Sequence, residues 1–123
     1  MVEDDRDTRV LIDYLLRTHW DVTLTPSAPE ALQVATDPET SVFDLFLIDV
    51  GLPSKQDGLD LIHTLRHRPE TQQIPAVAVT AHVLPGDREQ FLQAGFDAYI
   101  PKPFSRTRLI QTIQTTLPVE LSS

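Results

Sequence analysis

The stretch FDLFLIDVGLP, Phe43 to Pro53, is apolar from Leu45 to Ile48 and then closes on a carboxylate, Asp49. The run is short enough for a buried strand. An isolated buried charge is costly unless something pairs with it. Either Asp49 opens a solvated turn, or it stands at the rim of a core for chemistry.

The rest of the chain repeats the pattern. Asp21–Thr25, Asp44–Asp49, Ile74–Thr80 and Phe96–Pro101 read as strands, and an amphipathic stretch follows each. Alternation of this kind predicts an α/β fold with a largely parallel sheet. Helices are expected over Arg6–Thr18, after Ser27, over Leu59–His67, from Pro85 and Gly86 to a cap at Gly95, and from Ser105 to Pro118. Ser27 with Glu30 forms a capping box. Gly95 suits a helix C-terminus. In the first helix Val10, Leu11, Tyr14 and Leu15 are expected inward, with Tyr14 and Trp20 finishing the core. Only Met1 and Val2 stand ahead of the first acidic run to form a strand there.

Composition narrows the function. The 123 residues suit one domain, expected over residues 1–118 with a tail at 119–123. There is no cysteine, so neither disulfides nor thiolate metal sites arise. Ten Lys and Arg against 18 Asp and Glu give a net charge of −8, which disfavours direct nucleic-acid binding. No apolar run spans a bilayer and no signal peptide is recognisable, so a soluble cytoplasmic protein without a membrane partner is expected.

The polar residues fall at strand ends. Glu3, Asp4 and Asp5 follow the first fragment, and Asp49, Thr80 and Lys102 end later strands. In an open parallel sheet the carboxyl ends share one edge, where ligands bind. Carboxylates without His or Cys favour a hard cation, above all Mg2+. A Lys and a Thr hydroxyl beside it suit phosphoryl oxygens, and a carboxylate can be the nucleophile. Singly, each has a plainer role: Asp4 or Asp5 as a helix cap, Thr80 as a strand end, Lys102 as a surface cation. Their joint placement favours the site. His63 and His67, four apart, have metal-binding spacing but share a polar face with Asp60 and Thr64, which favours a solvated surface.

Five segments together resemble the response-regulator receiver domain of two-component signalling: VEDD at Val2–Asp5 with Arg9 after it, LIDVGLP around Asp49, DGLDLI at Asp57–Ile62, VTA at Val79–Ala81 and AGFDAYIPKPF at Ala94–Phe104. The resemblance implies a doubly wound, flavodoxin-like five-stranded parallel sheet in the order 2-1-3-4-5 with five flanking helices. It makes Asp49 the acceptor of a phosphoryl group from a phosphohistidine on a sensor histidine kinase or histidine phosphotransfer protein. Asp4 would bind Mg2+ directly, Glu3 through water, and Asp49 and the main-chain carbonyl of Gly51 would complete the set. Thr80 and Lys102 would hold phosphoryl oxygens, and Thr80 and Tyr99 would move together as a switch. A cis Lys102–Pro103 bond is expected, and Gly51 and His82 occupy positions that tune phosphoryl lifetime. The downstream protein is unspecified, and a homodimer is an open option.

Two departures matter. The loop GLPSKQDG has one residue more than the family pattern, with Gln56 where Met is common. The apolar residues that usually precede the acidic pair are few, and losing two or three would remove roughly 3–9 kcal/mol at about 1.5–3 each. The expectation is that the natural product starts upstream or that the chain is part of a longer protein such as a hybrid kinase. Two other functions compete. A receiver-like docking module would act without phosphorylation. An aspartyl-phosphate hydrolase would need a second acid two residues after the nucleophile, where Gly51 stands. Turnover of an outside substrate is therefore not expected.

Overall fold

A computed structural model describes residues 1–37, 39, 43–50, 55–81 and 86–117, with the side chains of residues 55 and 56 excepted. Three apolar runs become parallel strands: β1 (Phe46–Asp49), β2 (Ala76–Thr80) and β3 (Ala98–Pro101), in the order β1-β2-β3. Each is shorter than its apolar run because pairing, not hydrophobicity, sets the ends. The register aligns Asp49 with Val79 and Val79 with Ile100.

The strand positions expected at Met1–Val2 and Asp21–Thr25 contribute isolated bridges only. Val2 bridges Ile48 on one side and Thr25 on the other. Read across the sheet, the order is the expected 2-1-3-4-5, with its first two members reduced to single pairings. The reason is local. Val2 N–H donates to the Leu47 carbonyl (2.8 Å), Asp49 N–H to the Val2 carbonyl (3.0 Å) and Thr25 N–H to the Met1 carbonyl (2.9 Å). The Met1 ammonium donates to the Thr23 carbonyl. Below that point a cleft of about 470 Å³ opens, with Leu16, Trp20, Val22, Leu45, Leu47 and Leu117 in its walls. Burial without compensating charge pushes the Met1 amine down to about 6.

Among the described residues five helices flank the sheet: α1 (Arg6–Leu16), α2 (Ala28–Thr36), α3 (Lys55–Arg66), α4 (Asp87–Ala94) and α5 (Arg106–Thr116). Caps anticipated from the sequence form: Ser27 Oγ accepts from Glu30 N–H, Ser105 Oγ from Arg108 N–H, and Gly95 closes α4 in the left-handed region at φ 120°. The helix starting at Lys55 is a turn longer than the expected start at Leu59. Pro118, expected to end the last helix, lies outside the described residues.

Side-chain alternation divides the interior in two, as period-2 strands require. Ile48, Ala76 and Ala78 face Leu61, Ile62, Leu65, Phe91 and Phe96 on one side. Leu47, Val77, Val79 and Ile100 face Ile12, Leu16, Leu109, Ile113 and Leu117 on the other. The inward face of α1 is a correction. Ile12 and Leu16 are buried, while Val10 (62 % exposed), Leu11 (50 %) and Tyr14 (66 %) point outward, with Arg17 over the Tyr14 ring at 5.7 Å. Trp20 does pack against the second cluster. The helix carries two apolar stripes. Its entry is set by the Asp5 cap and by Arg9, whose guanidinium donates to the Glu3 carbonyl (2.8 Å), and that rotation buries the Ile12–Leu16 stripe. No helix among the described residues is long and apolar enough to cross a membrane.

Gly58 brings α3 against the residue after Asp49: a Cβ there would meet Val50 Cα at 2.8 Å. Gly58→Ala gains up to about 1 kcal/mol of helix propensity, but the clash is with backbone, and overpacking costs about 1–3 kcal/mol. Urea denaturation should therefore show the variant less stable than the parent. The cleft gives a second expectation. Three apolar β-formers fused ahead of Met1 should raise stability by a few kcal/mol, at about 1.5–3 per buried side chain, whereas three charged residues should not. Equal thermal midpoints for the two extensions would show that the cleft is not a strand position.

Candidate functional site: a buried acid–lysine cluster at the sheet edge

Three elements deliver the site. Val2's bridge carries Glu3 and Asp4 to the carboxyl edge, β1 ends on Asp49, and the chain leaving β3 supplies Lys102. From the register, Thr80 stands one residue beyond the Asp49 row on β2, and Lys102 follows Pro101, the partner of Thr80. Lys102 N–H donates to the Thr80 carbonyl at 2.7 Å, which fixes that approach. Lys102–Pro103 is cis, as the sequence led one to expect.

Lys102 Nζ donates to Glu3 Oε1 (2.8 Å) and to Asp49 Oδ2 (3.0 Å). Glu3 is 1 % exposed, and Asp49 and Thr80 are each 5 % exposed. Asp4 is exposed, yet one carboxylate oxygen from each of Glu3, Asp4 and Asp49 falls within 4.8 Å of the others. The donor set is oxygen only, with two buried walls and one open to solvent. That fits a hard divalent cation that keeps part of its water shell.

Glu3 is pushed up to about 7, first by burial and then by its bond with the Asp49 carboxyl, against the opposing bond from Lys102. Burial alone would lower Lys102, but its bonds to Glu3 and Asp49 outweigh that and raise it. The Asp5 side chain stands outside the cluster, while its N–H donates to Glu3 Oε2 (3.3 Å). It caps α1, accepting from Thr8 N–H (3.0 Å) and Thr8 Oγ1 (2.6 Å), and those bonds lower its pKa.

The structure thus brings together Glu3, Asp4, Asp49, Thr80 and Lys102. Tyr99 lies on β3 two residues before Pro101, half-buried, its ring 6.3 Å from that of Phe91 on the α3–α4 side of the sheet. Gly51 and His82 lie outside the described residues. Arg66, which the sequence reading passed over, is a second organising cation. It donates to the carbonyls of Gly95 (2.9 Å) and Ile74 (2.6 Å) and pairs with Asp97 (3.2 Å), which in turn accepts from Ala76 N–H (2.8 Å). It ties the end of α3 to the starts of β2 and β3. The signal available for it was an Arg in a last helical turn, which is a common and unspecific one.

This chain belongs to the response regulator receiver domain family, whose profile matches residues 1–114. It is 36 % identical over 118 residues to the polar-differentiation response regulator DivK of Brucella abortus, covering 95 % of this chain and 93 % of that protein. The receiver domain of the sensor histidine kinase PA1611 of Pseudomonas aeruginosa PAO1, solved with a magnesium ion coordinated in its active-site cleft, superposes with a TM-score of 0.81 at 32 % identity, over 99 % of this chain and 94 % of that one. The chemotaxis protein CheY4 of Vibrio cholerae shares the fold at a TM-score of 0.85 and 23 % identity, over 94 % of each chain. The protein is accordingly a two-component receiver domain with a CheY-like parallel sheet.

The raised Glu3 pKa has a definite sign. The folded carboxyl binds its proton more tightly than the unfolded one, so its contribution to stability is present below about 4.5 and lost as pH rises through about 7. The Met1 amine, lowered from 8.0 to about 6, acts oppositely over the window between those values. It is common to parent and variant and cancels in their difference. In metal-free protein, Glu3→Gln should therefore gain stability relative to the parent as pH rises from about 5 to 8. Parallel denaturation curves across that range would contradict a Glu3 carboxyl raised by burial beside Asp49.

Proposed function

We propose that the protein is a phosphoacceptor receiver in a two-component phosphorelay, with Asp49 taking a phosphoryl group from a phosphohistidine on a sensor histidine kinase or histidine phosphotransfer protein. The observation that carries this reading is the Lys102 ammonium bridging two buried carboxylates, Glu3 and Asp49, at the carboxyl edge of a parallel sheet. A purely structural ion pair has no need of a third carboxylate, Asp4, converging from the solvent side.

In the proposed reaction an Asp49 carboxylate oxygen attacks phosphorus in line, the phosphorus–nitrogen bond to the donor imidazole breaks, and the imidazole leaves with that electron pair. Glu3, Asp4, Asp49 and the Gly51 carbonyl are the proposed holders of Mg2+, which supplies positive charge to the transferring oxygens. Lys102 exchanges its bond with Asp49 for one with a phosphoryl oxygen, remaining anchored on Glu3. Thr80, at the end of β2, offers a hydroxyl to another oxygen. Attack by water on the acyl phosphate returns Asp49 and inorganic phosphate, so the only chemistry is the protein's own phosphorylation and its reversal.

Signalling in this reading is a surface change. The new dianion draws the Thr80 hydroxyl toward the site, and the half-buried Tyr99 ring shifts against Phe91 on α4. The face around β3, α4 and α5 is then the one a downstream protein reads.

Incubation with acetyl phosphate followed by intact mass measurement tests the proposal. A phosphoryl adduct is expected that requires Mg2+, is labile to hydroxylamine and is lost in Asp49→Asn. Lys102→Ala should slow its formation roughly a hundredfold, the scale for removing one charge-stabilising donor. A protein that is folded by circular dichroism yet forms no adduct would point instead to a docking module that works without phosphate.

A further inference from the structure

The His63–His67 pair, one on the last turn of α3 and the other just past its end, takes no part in the carboxylate site. Both residues are exposed, and their ring centroids lie 4.2 Å apart with a 40° tilt. The end of the helix explains why the second ring is held. His67 N–H donates to the Thr64 carbonyl (3.1 Å) rather than to the carbonyl four residues back, which leaves the His63 carbonyl without that backbone donor. His67 Nδ1 reaches it at 2.7 Å.

A carbonyl oxygen only accepts, so Nδ1 carries the proton. In the neutral ring the lone pair is then on Nε2, and the residue is exposed. An imidazole whose one nitrogen donates to a carbonyl while the other is open has the arrangement of a metal-ligating histidine. The neighbouring His63 ring stands one helical turn away, on the same face. Asp60, at a spacing of three from His63 and seven from His67, adds a carboxylate to that face.

We propose that His63 and His67 form a two-imidazole site for a borderline first-row divalent ion, of the Zn2+, Ni2+ and Cu2+ class. Nitrogen donors prefer these ions to Mg2+, while the oxygen-only cluster of Glu3, Asp4 and Asp49 has the opposite preference. The two sites therefore separate by ligand chemistry. Water completes the coordination, so the ion is held as a clasp over the last turn of α3, next to the Arg66 anchorage.

The test is zinc chloride titrated into the metal-free protein at neutral pH, followed by long-range proton–nitrogen spectra of the imidazoles. The resonances of His63 and His67 should move together in a single saturating step, with the open nitrogen of His67 showing coordination. His63→Asn and His67→Asn, both at exposed positions, should each weaken the binding by about tenfold or more, because one ligand then loses the effective concentration that the other provides. The proposal is overturned if the two rings do not shift, if only one does, if the response falls on His19 or His82, or if zinc is taken up by the carboxylates with the imidazoles unchanged. An affinity unaltered in either variant overturns it equally.

Discussion

The architecture of this receiver turns on one ammonium. Lys102 Nζ bonds to Glu3, 99 residues away in sequence, and to Asp49, 53 residues away, and so joins the first bridge of the sheet, the end of β1 and the exit from β3. Burying Glu3 and Asp49 without it would leave two carboxylates facing each other in an environment of low polarity. Removing one partner of such a cluster typically costs about 3–5 kcal/mol, because the remaining charge keeps its desolvation cost. The cluster is thus an unlikely device for stability alone, since apolar residues of the same volume would pack there without that liability. In the proposed function its worth lies in holding charge where a ligand can use it.

The sheet makes that possible because it is covered on both faces. All five residues of β2, Ala76 to Thr80, are buried, with small alanines toward the α2, α3 and α4 side and valines toward α1 and α5. A strand of this kind has no freedom to slip: a shift of one residue would exchange the two faces. The same register that packs Ala78 and Val79 fixes how far Thr80 projects relative to Asp49 and Lys102. Packing and site geometry are one constraint seen at two ends of the strand.

What could be read from the sequence follows from this. Strands buried on both sides appear as short continuous apolar runs, so β1, β2 and β3 were visible, and the polar residue at each carboxyl end identified the site edge. Caps at Ser27, Gly95 and Ser105 depend only on neighbouring residues and were visible too. The rotation of α1 was not. Val10, Leu11 and Tyr14 form as good an apolar stripe as Ile12 and Leu16. The choice between them is made with Arg9 reaching the Glu3 carbonyl, a contact that exists only once the edge is assembled, whereas the Asp5 cap is local and was among the caps the sequence offered. Arg66 was illegible for a similar reason. Its acceptors are backbone carbonyls, at Gly95 and Ile74, and carbonyls carry no residue identity. The run Asp21–Thr25 reads as a strand but pairs only at Thr25, because pairing is a property of two segments and Met1–Val2 offers little to pair with.

The charge at the site explains its chemistry more sharply than any single residue. Glu3, Asp4 and Asp49 against Lys102 leave two negative formal charges uncompensated, and Glu3, raised to about 7 first by burial and then by Asp49, shows how poorly the site carries that charge. A divalent cation cancels it. In the proposed reaction a phosphoryl group on Asp49 would replace one carboxylate charge by a dianion, with Thr80 and Lys102 as the groups proposed to meet its oxygens, so the excess would return in a new place. In the proposed signalling the groups that would respond are the Thr80 hydroxyl at the end of β2 and the half-buried Tyr99 ring beside Phe91. A site with a neutral, fully satisfied cluster would hold the fold at lower cost, but it would offer no excess charge for a divalent cation to cancel.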